Sequence, residues 1–357
     1  YFIESPSVTQ EDYLKINSPE EITLLDQACG SGHILVYGFE LLSKIYEEEG
    51  YNPSEIPQLI IEKNLCGFEI DERAAQLAGM ALLMKARSYH RRVFRKALQP
   101  NILCYQDVKL AEEDLNTTFK QLDIPLSDEL KHDLKYIAQA TNLGSLIIPH
   151  TDTKTLKIVL EAVEIKLQQT TDIFLKSHLQ QLQTALKQLL LLSTKYHCVV
   201  DNPPYMGDSK LNSSLVEYVN YNYPTSKYDL MTCFMECGVK SLLKNGFLGM
   251  INQHSWMFVS SYKKFREEYF SKVYINNLLH LGARTFPEIG GEVVQNSAFV
   301  LQNKPPDNLI GTYIRLVCFN NTEEKRKGLI KSLNTKDNNL FKFYQSKLSN
   351  IPNWNIC

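Results

Sequence analysis

Asn202, Pro203, Pro204 and Tyr205 follow directly on the run Val199–Val200–Asp201. A residue before proline is pushed to extended backbone, and each proline fixes its own φ. A turn this stiff at the end of a strand aims two oxygens, the Asn202 side-chain oxygen and the Pro203 carbonyl, at one point. Two fixed acceptors suit a single NH₂ group, and Tyr205 adds a flat face for a ring to stack on. An amino group on an aromatic base is a poor nucleophile because its lone pair is delocalised. Acceptors on both its hydrogens push the nitrogen toward sp³ and localise that pair. The same dipoles stabilise the positive charge that develops on nitrogen during a transfer, so no strong general base is needed. A base inside a duplex is out of reach and has to be flipped out and stacked.

A second group of residues reads as a nucleotide site. "LLDQACGSGHIL" (24–35) is strand, turn and helix, and Ala28, Gly30 and Gly32 form a turn that a ligand can approach closely. It is not the dinucleotide fingerprint: Leu35 stands at its third glycine position, and Glu69 lies well past the usual spacing of about 20 residues. Glu69 in "GFEID" ends the second strand, where a carboxylate can accept both hydroxyls of a ribose. Ile70 would flank an adenine, and Asp107 in "LCYQD" would accept its amino group. Asp26, ending the first strand, would face an ammonium. Adenine, ribose and a zwitterionic amino acid together describe S-adenosylmethionine.

The elements that must hold these residues alternate. Short apolar strands are expected at 22–27, 64–70, 101–106, 197–201, 246–252, 275–281 and 297–302, with helices at 33–49 and 72–87 between the early ones. This is the signature of an α/β fold with a mostly parallel sheet. Residues 109–196 break the rhythm: Leu156, Val159, Leu160, Val163 and Leu167 keep helical spacing, as do Leu175, Leu179, Leu182, Leu186 and Leu189. A helical insertion between the third and fourth strands is expected, built as an antiparallel pair of long helices and serving as scaffold or as a partner-docking arm. The expected division is a cofactor half (1–108), the insertion (109–196), a target-base half (197–320) and a linker (321–357).

Composition narrows the rest. The chain has 357 residues, 44% of them hydrophobic, and a net charge of −2, so it can bury a full core but carries no global basic field for nucleic acid. The eight cysteines form no CxxC pair and read as reduced thiols in a cytoplasmic protein. No apolar run approaches the ~18 residues of a membrane span. Both ends read as cut, so the chain is treated as a piece of something longer. "HRRVFRK" (90–96) suits a helix C-terminus on the edge away from the site. Cys233 and Cys237 lack further ligands at metal spacing, His33 reads as structural, and "SSYKKFREEYFSK" (260–272) reads as a capped packing helix.

The order "DQACGSG", "GFEID", "NPPY" resembles the amino methyltransferases that methylate adenine N6 in DNA, of the class with the cofactor motif first. Residues from about 201 to 302, including "NPPYMG" and "HLGARTFPEIGGEVVQNSAFVL", look like the PglX-type methylase of BREX phage-defence systems. The resemblance implies a Rossmann-like, S-adenosylmethionine-dependent fold with seven strands, and double-stranded DNA and other phage-defence proteins as partners. It also implies that Phe286 faces the flipped base opposite Tyr205, and that Phe234 covers the cofactor adenine. Gln27 stands where the family usually has proline. Nothing in 1–23 matches the family's upstream Thr-Pro segment, and this chain ends before the family's target-recognition domain could form, so weak activity in isolation is the expectation. A methyltransferase acting on RNA or on protein glutamine, a Type IIG restriction–methylation enzyme, and a non-catalytic binding protein of the same fold remain open alternatives.

Overall fold

In the computed structural model the described residues are 14–95, 97–286, 294–335 and 337–356. The first strand is β1 (Leu24–Asp26). The chain divides into two compact units, one of residues 28–195 and one joining the N-terminal segment through Gln27 to residues 196–357.

The 28–195 unit opens with α1 (His33–Glu48) and α2 (Ile56–Leu59), followed by β2 (Leu65–Glu69), α3 (Glu72–Tyr89) and β3 (Asn101–Cys104). β2 and β3 pair in parallel, with Glu69 opposite Cys104. Asp71 caps α3 by accepting the Ala74 N–H at 2.8 Å, a contact worth about 1 kcal/mol. Then come α4 (Glu112–Leu122), α5 (Asp128–Ile137), α6 (Ala140–Leu143), α7 (Thr153–Gln169) and α8 (Ile173–Ser193). The expected pair of long helices is α7 and α8, capped by Asp152 and Asp172 and packed on each other. It makes up only part of the insertion. Leu156, Val159 and Val163 are buried, as are Leu179, Leu182, Leu186 and Leu189. Each such side chain contributes about 1.5–3 kcal/mol.

The other unit continues with β4 (Tyr196–Asp201), α9 (Ser213–Asn222), α10 (Leu230–Lys240) and β5 (Leu242–Gln253). It closes with α11 (Lys263–Tyr269), β6 (Tyr274–Gly282), β7 (Asn296–Gln302), β8 (Ile310–Arg315), α12 (Thr322–Thr335) and β9 (Leu340–Tyr344). Its strand order is β1-β4-β5-β7-β6-β8-β9. β1, β4 and β5 run parallel, β7 is antiparallel to both β5 and β6, β8 is parallel to β6, and β9 is antiparallel to β8.

Several elements differ from expectation. The described residues form nine strands with mixed pairing, not seven mostly parallel ones: β8 is a short buried strand interrupted by Gly311 and Thr312, and β9 is an exposed edge strand centred on Lys342. Residues 321–357 contribute α12 and β9. Gln345 is buried and donates to the carbonyls of Phe270 and Val273 at 2.8 and 2.7 Å, and the fully buried Arg266 donates to the Asn353 carbonyl. The helix expected at 260–272 is the shorter α11, which has no side-chain cap. β5 begins four residues earlier than expected, at Leu242, and ends at Gln253.

Candidate active site

The proposed cofactor residues of the 28–195 unit gather around one carboxylate. Gly30 and Gly32 take positive φ, +52° and +84°. A Cβ on Gly32 would come within 3.0 Å of the Ala78 backbone, so only glycine lets α1 start this close to α3. The turn is tied to β2 by the Cys29 N–H, which donates to the Phe68 carbonyl at 3.0 Å. The Gly30 N–H donates to Glu69 Oε2 at 2.8 Å. The N–H groups of Ile70 and Asp71 donate to Glu69 Oε1 at 2.8 and 3.0 Å. Three backbone donors therefore fix the half-buried carboxylate while leaving it further acceptor capacity. Ile70 is 50% exposed and borders a cleft lined also by Glu72, Cys104, Gln106, Asp107 and Thr141. Burial, followed by the charges of Glu72, Glu69 and Asp71, pushes the Cys104 thiol up.

Asp107 lies three residues beyond β3 rather than at its end. Its Oδ1 accepts from the Thr141 N–H and hydroxyl at 2.8 and 2.9 Å. The neighbouring Gln106 is gripped on both sides by Gln188 of α8: its N–H donates to Gln188 Oε1 at 2.9 Å, and its carbonyl accepts from Gln188 Nε2 at 3.0 Å. Thr141 and Gln188 were missed in the sequence. The signal for Gln188 was a polar residue on the buried leucine face of α8.

In the other unit, Asp26 and Asp201 are both 1% exposed. Asp201 Oδ1 accepts the Gln27 N–H at 2.7 Å. Burial, and then the neighbouring Asp26 charge, holds the Asp201 carboxyl well above the usual range. Asp26, which ends β1, is thus one member of a buried acid pair. Gln27, at the family's proline position, is buried, and its side-chain amide donates to Cys237 Sγ in α10 at 3.0 Å.

β4 ends at Asp201 and the Asn202–Tyr205 turn follows, as expected. Asn202 is exposed and Pro203 buried. The Tyr205 hydroxyl lies 3.0 Å from Asn202 Oδ1 and 3.1 Å from the Ile251 carbonyl, and it has one proton to share between these acceptors. Burial pushes the Tyr205 phenol up to about 12. The turn's far side is clamped by Asp229, the cap of α10, whose Oδ1 accepts from the N–H groups of Met206 and Met231 at 3.1 and 3.0 Å. Asp229 was also missed, although an acid just before a helical run is a cap signal. Phe286 is half-buried on the loop after β6, and the segment after it, 287–293, lies outside the described residues. Phe234 is 7% exposed within α10.

Residues 63–286 match the Eco57I restriction-modification methylase family. The chain belongs to that family. As an Eco57I-type methylase it implies a methyl donor. The matched span holds Glu69, Asp107, the Asn202–Tyr205 turn and Phe286, and leaves the Asp26–Gly32 turn outside. The chain is 38% identical over 340 residues to the adenine-specific methyltransferase PglX of Lacticaseibacillus casei (strain Zhang), covering 93% of this chain and 28% of that protein. It is 36% identical over 381 residues to the adenine-specific methyltransferase BrxX of Escherichia coli O9:H4 (strain HS), covering 99% of this chain and 31% of that protein. The chain therefore spans about 30% of the length of these curated relatives. Among solved structures it resembles the ATP-dependent Type ISP restriction-modification enzyme LlaBIII bound to DNA, with a TM-score of 0.53 and 13% identity over 90% of this chain and 19% of that one. No helix among the described residues is long and apolar enough to cross a membrane.

Proposed function

We propose that this chain transfers a methyl group from S-adenosylmethionine to the exocyclic N6 of adenine in DNA, in phage defence or restriction–modification. The observation that carries the reading is the Asn202–Tyr205 turn, rigid by its prolines and clamped at Met206 by Asp229. The adenine-specific activity in the names of the two curated relatives supports the same target.

S-adenosylmethionine supplies, when bound, a methyl group on a sulfonium, which is electrophilic without further activation. The residues present fit that ligand. Glu69, fixed by three backbone donors, would accept from the ribose hydroxyls. Ile70 would pack on the adenine, and the oxygen of Asp107 not held by Thr141 would take its amino group. Ala28, Gly30 and Gly32 would let the ligand lie against bare backbone. The buried pair Asp26 and Asp201 disfavours two negative charges side by side, and a ligand ammonium would relieve that repulsion. Phe234 would contribute an aromatic wall.

On the target side, Asn202 Oδ1 and the Pro203 carbonyl would accept the two amino hydrogens of the adenine. That localises the nitrogen lone pair and stabilises the charge it gains. Tyr205, with Phe286 opposite, would hold the flipped base by stacking. The Tyr205 hydroxyl has to loosen its hold on Asn202 Oδ1, or share it, when the amine arrives.

The test is methyl transfer from isotopically labelled S-adenosylmethionine to duplex DNA, RNA and protein offered side by side, with digestion and mass spectrometry of the nucleosides and peptides. Label in N6-methyldeoxyadenosine alone is expected. Label in RNA, in glutamine or in cytosine would overturn the assignment.

A further inference from the structure

Outside the candidate active site, His132 and Asp133 on α5 meet His150, which lies on the segment leading into α7. One ligand atom from each of the three lies within 4.8 Å of the others. His150 Nδ1 is 3.3 Å from Asp133 Oδ1, and His132 Nδ1 is 3.7 Å from the same oxygen. Two donors bound tetrahedrally to one zinc ion at 2.0–2.1 Å sit about 3.3–3.4 Å apart. The first is a long hydrogen bond and the second is too long for one, and both lie near the spacing of ligands sharing an ion.

The carboxylate is already held from outside. Asp133 is fully buried, and its Oδ2 accepts from the Thr151 N–H at 2.8 Å and the Thr151 hydroxyl at 2.7 Å. The His150 N–H reaches both its oxygens, at 2.9 and 3.0 Å. Such outer hydrogen bonds orient a metal-binding carboxylate and leave one Oδ1 direction open toward the two rings. His132 Nδ1 supplies an independent sign: it is buried and has no hydrogen-bond partner among the described residues. An imidazole nitrogen left so is costly unless something fills the space before it. The two imidazoles are 37% and 44% exposed, so an ion could enter from solvent.

We propose that His132 Nδ1, Asp133 Oδ1 and His150 Nδ1 form a binding site for a divalent transition-metal ion, Zn²⁺ before others. Two imidazoles and one carboxylate suit that class rather than Mg²⁺ or Ca²⁺. The ion staples α5 to the start of α7 and completes its coordination with water. This site is separate from the methyl-transfer residues and stands whether or not that reading holds.

The experiment is a titration of the metal-free chain with Co²⁺, followed by visible absorption, with Zn²⁺ as competitor. One ion per chain is expected, with ligand-field bands of nitrogen and oxygen coordination, no thiolate charge-transfer band, and displacement by Zn²⁺. His132→Ala and His150→Ala should each weaken binding by roughly tenfold or more. The melting temperature of metal-free His132→Ala should fall only modestly, since its Nδ1 makes no hydrogen bond and only the ring's edge-on packing against Tyr136 and His150 is lost. If that variant does not fold, His132→Gln replaces it. Absence of saturable binding, a spectrum owed to thiolates, or affinity unchanged in both variants would overturn the proposal.

Discussion

The two sets of proposed site residues are held in different ways. Glu69, in the 28–195 unit, is fixed by three backbone N–H groups that belong to the turn and strand themselves. Asn202, in the other unit, is held at its oxygen by one side-chain hydroxyl, that of Tyr205. Backbone donors stay in place as long as the fold does. A hydroxyl on a rotatable side chain can let go. On the proposed reading, the cofactor residues would be ready before a ligand arrives, while the Asn202 oxygen would have to be released by Tyr205 before it could accept from a substrate.

The largest expected effect comes from breaking the target side. Asn202→Ala should lower methyl transfer to DNA by roughly 10²–10³-fold, the loss typical of one fixed transition-state partner, with S-adenosylmethionine affinity little changed. Equal losses in both would erase the distinction between the two sets of residues. On the donor side, Glu69→Ala should weaken S-adenosylmethionine binding by about 10- to 100-fold, from charged hydrogen bonds worth about 1.5–3 kcal/mol. Calorimetry reads this directly, and an unchanged affinity would remove Glu69 from the cofactor. Tyr205→Phe sharpens the contrast. It frees the Asn202 oxygen of a bond worth about 0.5–1.5 kcal/mol, so affinity for an adenine-containing strand should rise by about two- to tenfold. A fall would mean that the hydroxyl helps hold the base.

Smaller effects follow from the supports. Gln188→Ala removes both bonds to the Gln106 backbone and should lower stability by about 1–3 kcal/mol in urea unfolding. It should weaken S-adenosylmethionine binding less than Glu69→Ala does. Asp201 carries the pH dependence. Its carboxyl sits above its unfolded value, so the folded state keeps a proton the unfolded chain releases. That acid pair therefore loses stability as pH rises from about 4 through its raised value. Asp201→Asn should gain stability over wild type as pH rises through this window, and the gain should vanish below it.

The placement of the candidate residues was legible because they follow strands. β1, β2 and β4 end where the apolar runs end, and Asp26, Glu69 and Asn202 come at or just after those ends. The glycine turn was legible because positive φ demands glycine. The partners were not legible. Glu69 reaches back 39 residues to Gly30, Gln188 reaches 82 residues to Gln106, and Asp201 meets Gln27 across 174. No local pattern encodes such pairs. The insertion read only as scaffold or docking arm because its leucines signal helices but not what they support, and Thr141 and Gln188 show it supporting the loop after β3. β9 escaped because it is an edge strand whose exposed Phe341, Lys342 and Tyr344 blur the apolar signal, and β8 because Gly311 and Thr312 break its short apolar run.

The most direct test is calorimetric titration of S-adenosylmethionine and its demethylated product into wild type, Glu69→Ala and Asn202→Ala under one condition. The account predicts binding by wild type, loss in Glu69→Ala and near-wild-type affinity in Asn202→Ala. A folded wild type that binds neither ligand, or an Asn202→Ala variant that loses binding as Glu69→Ala does, would contradict it.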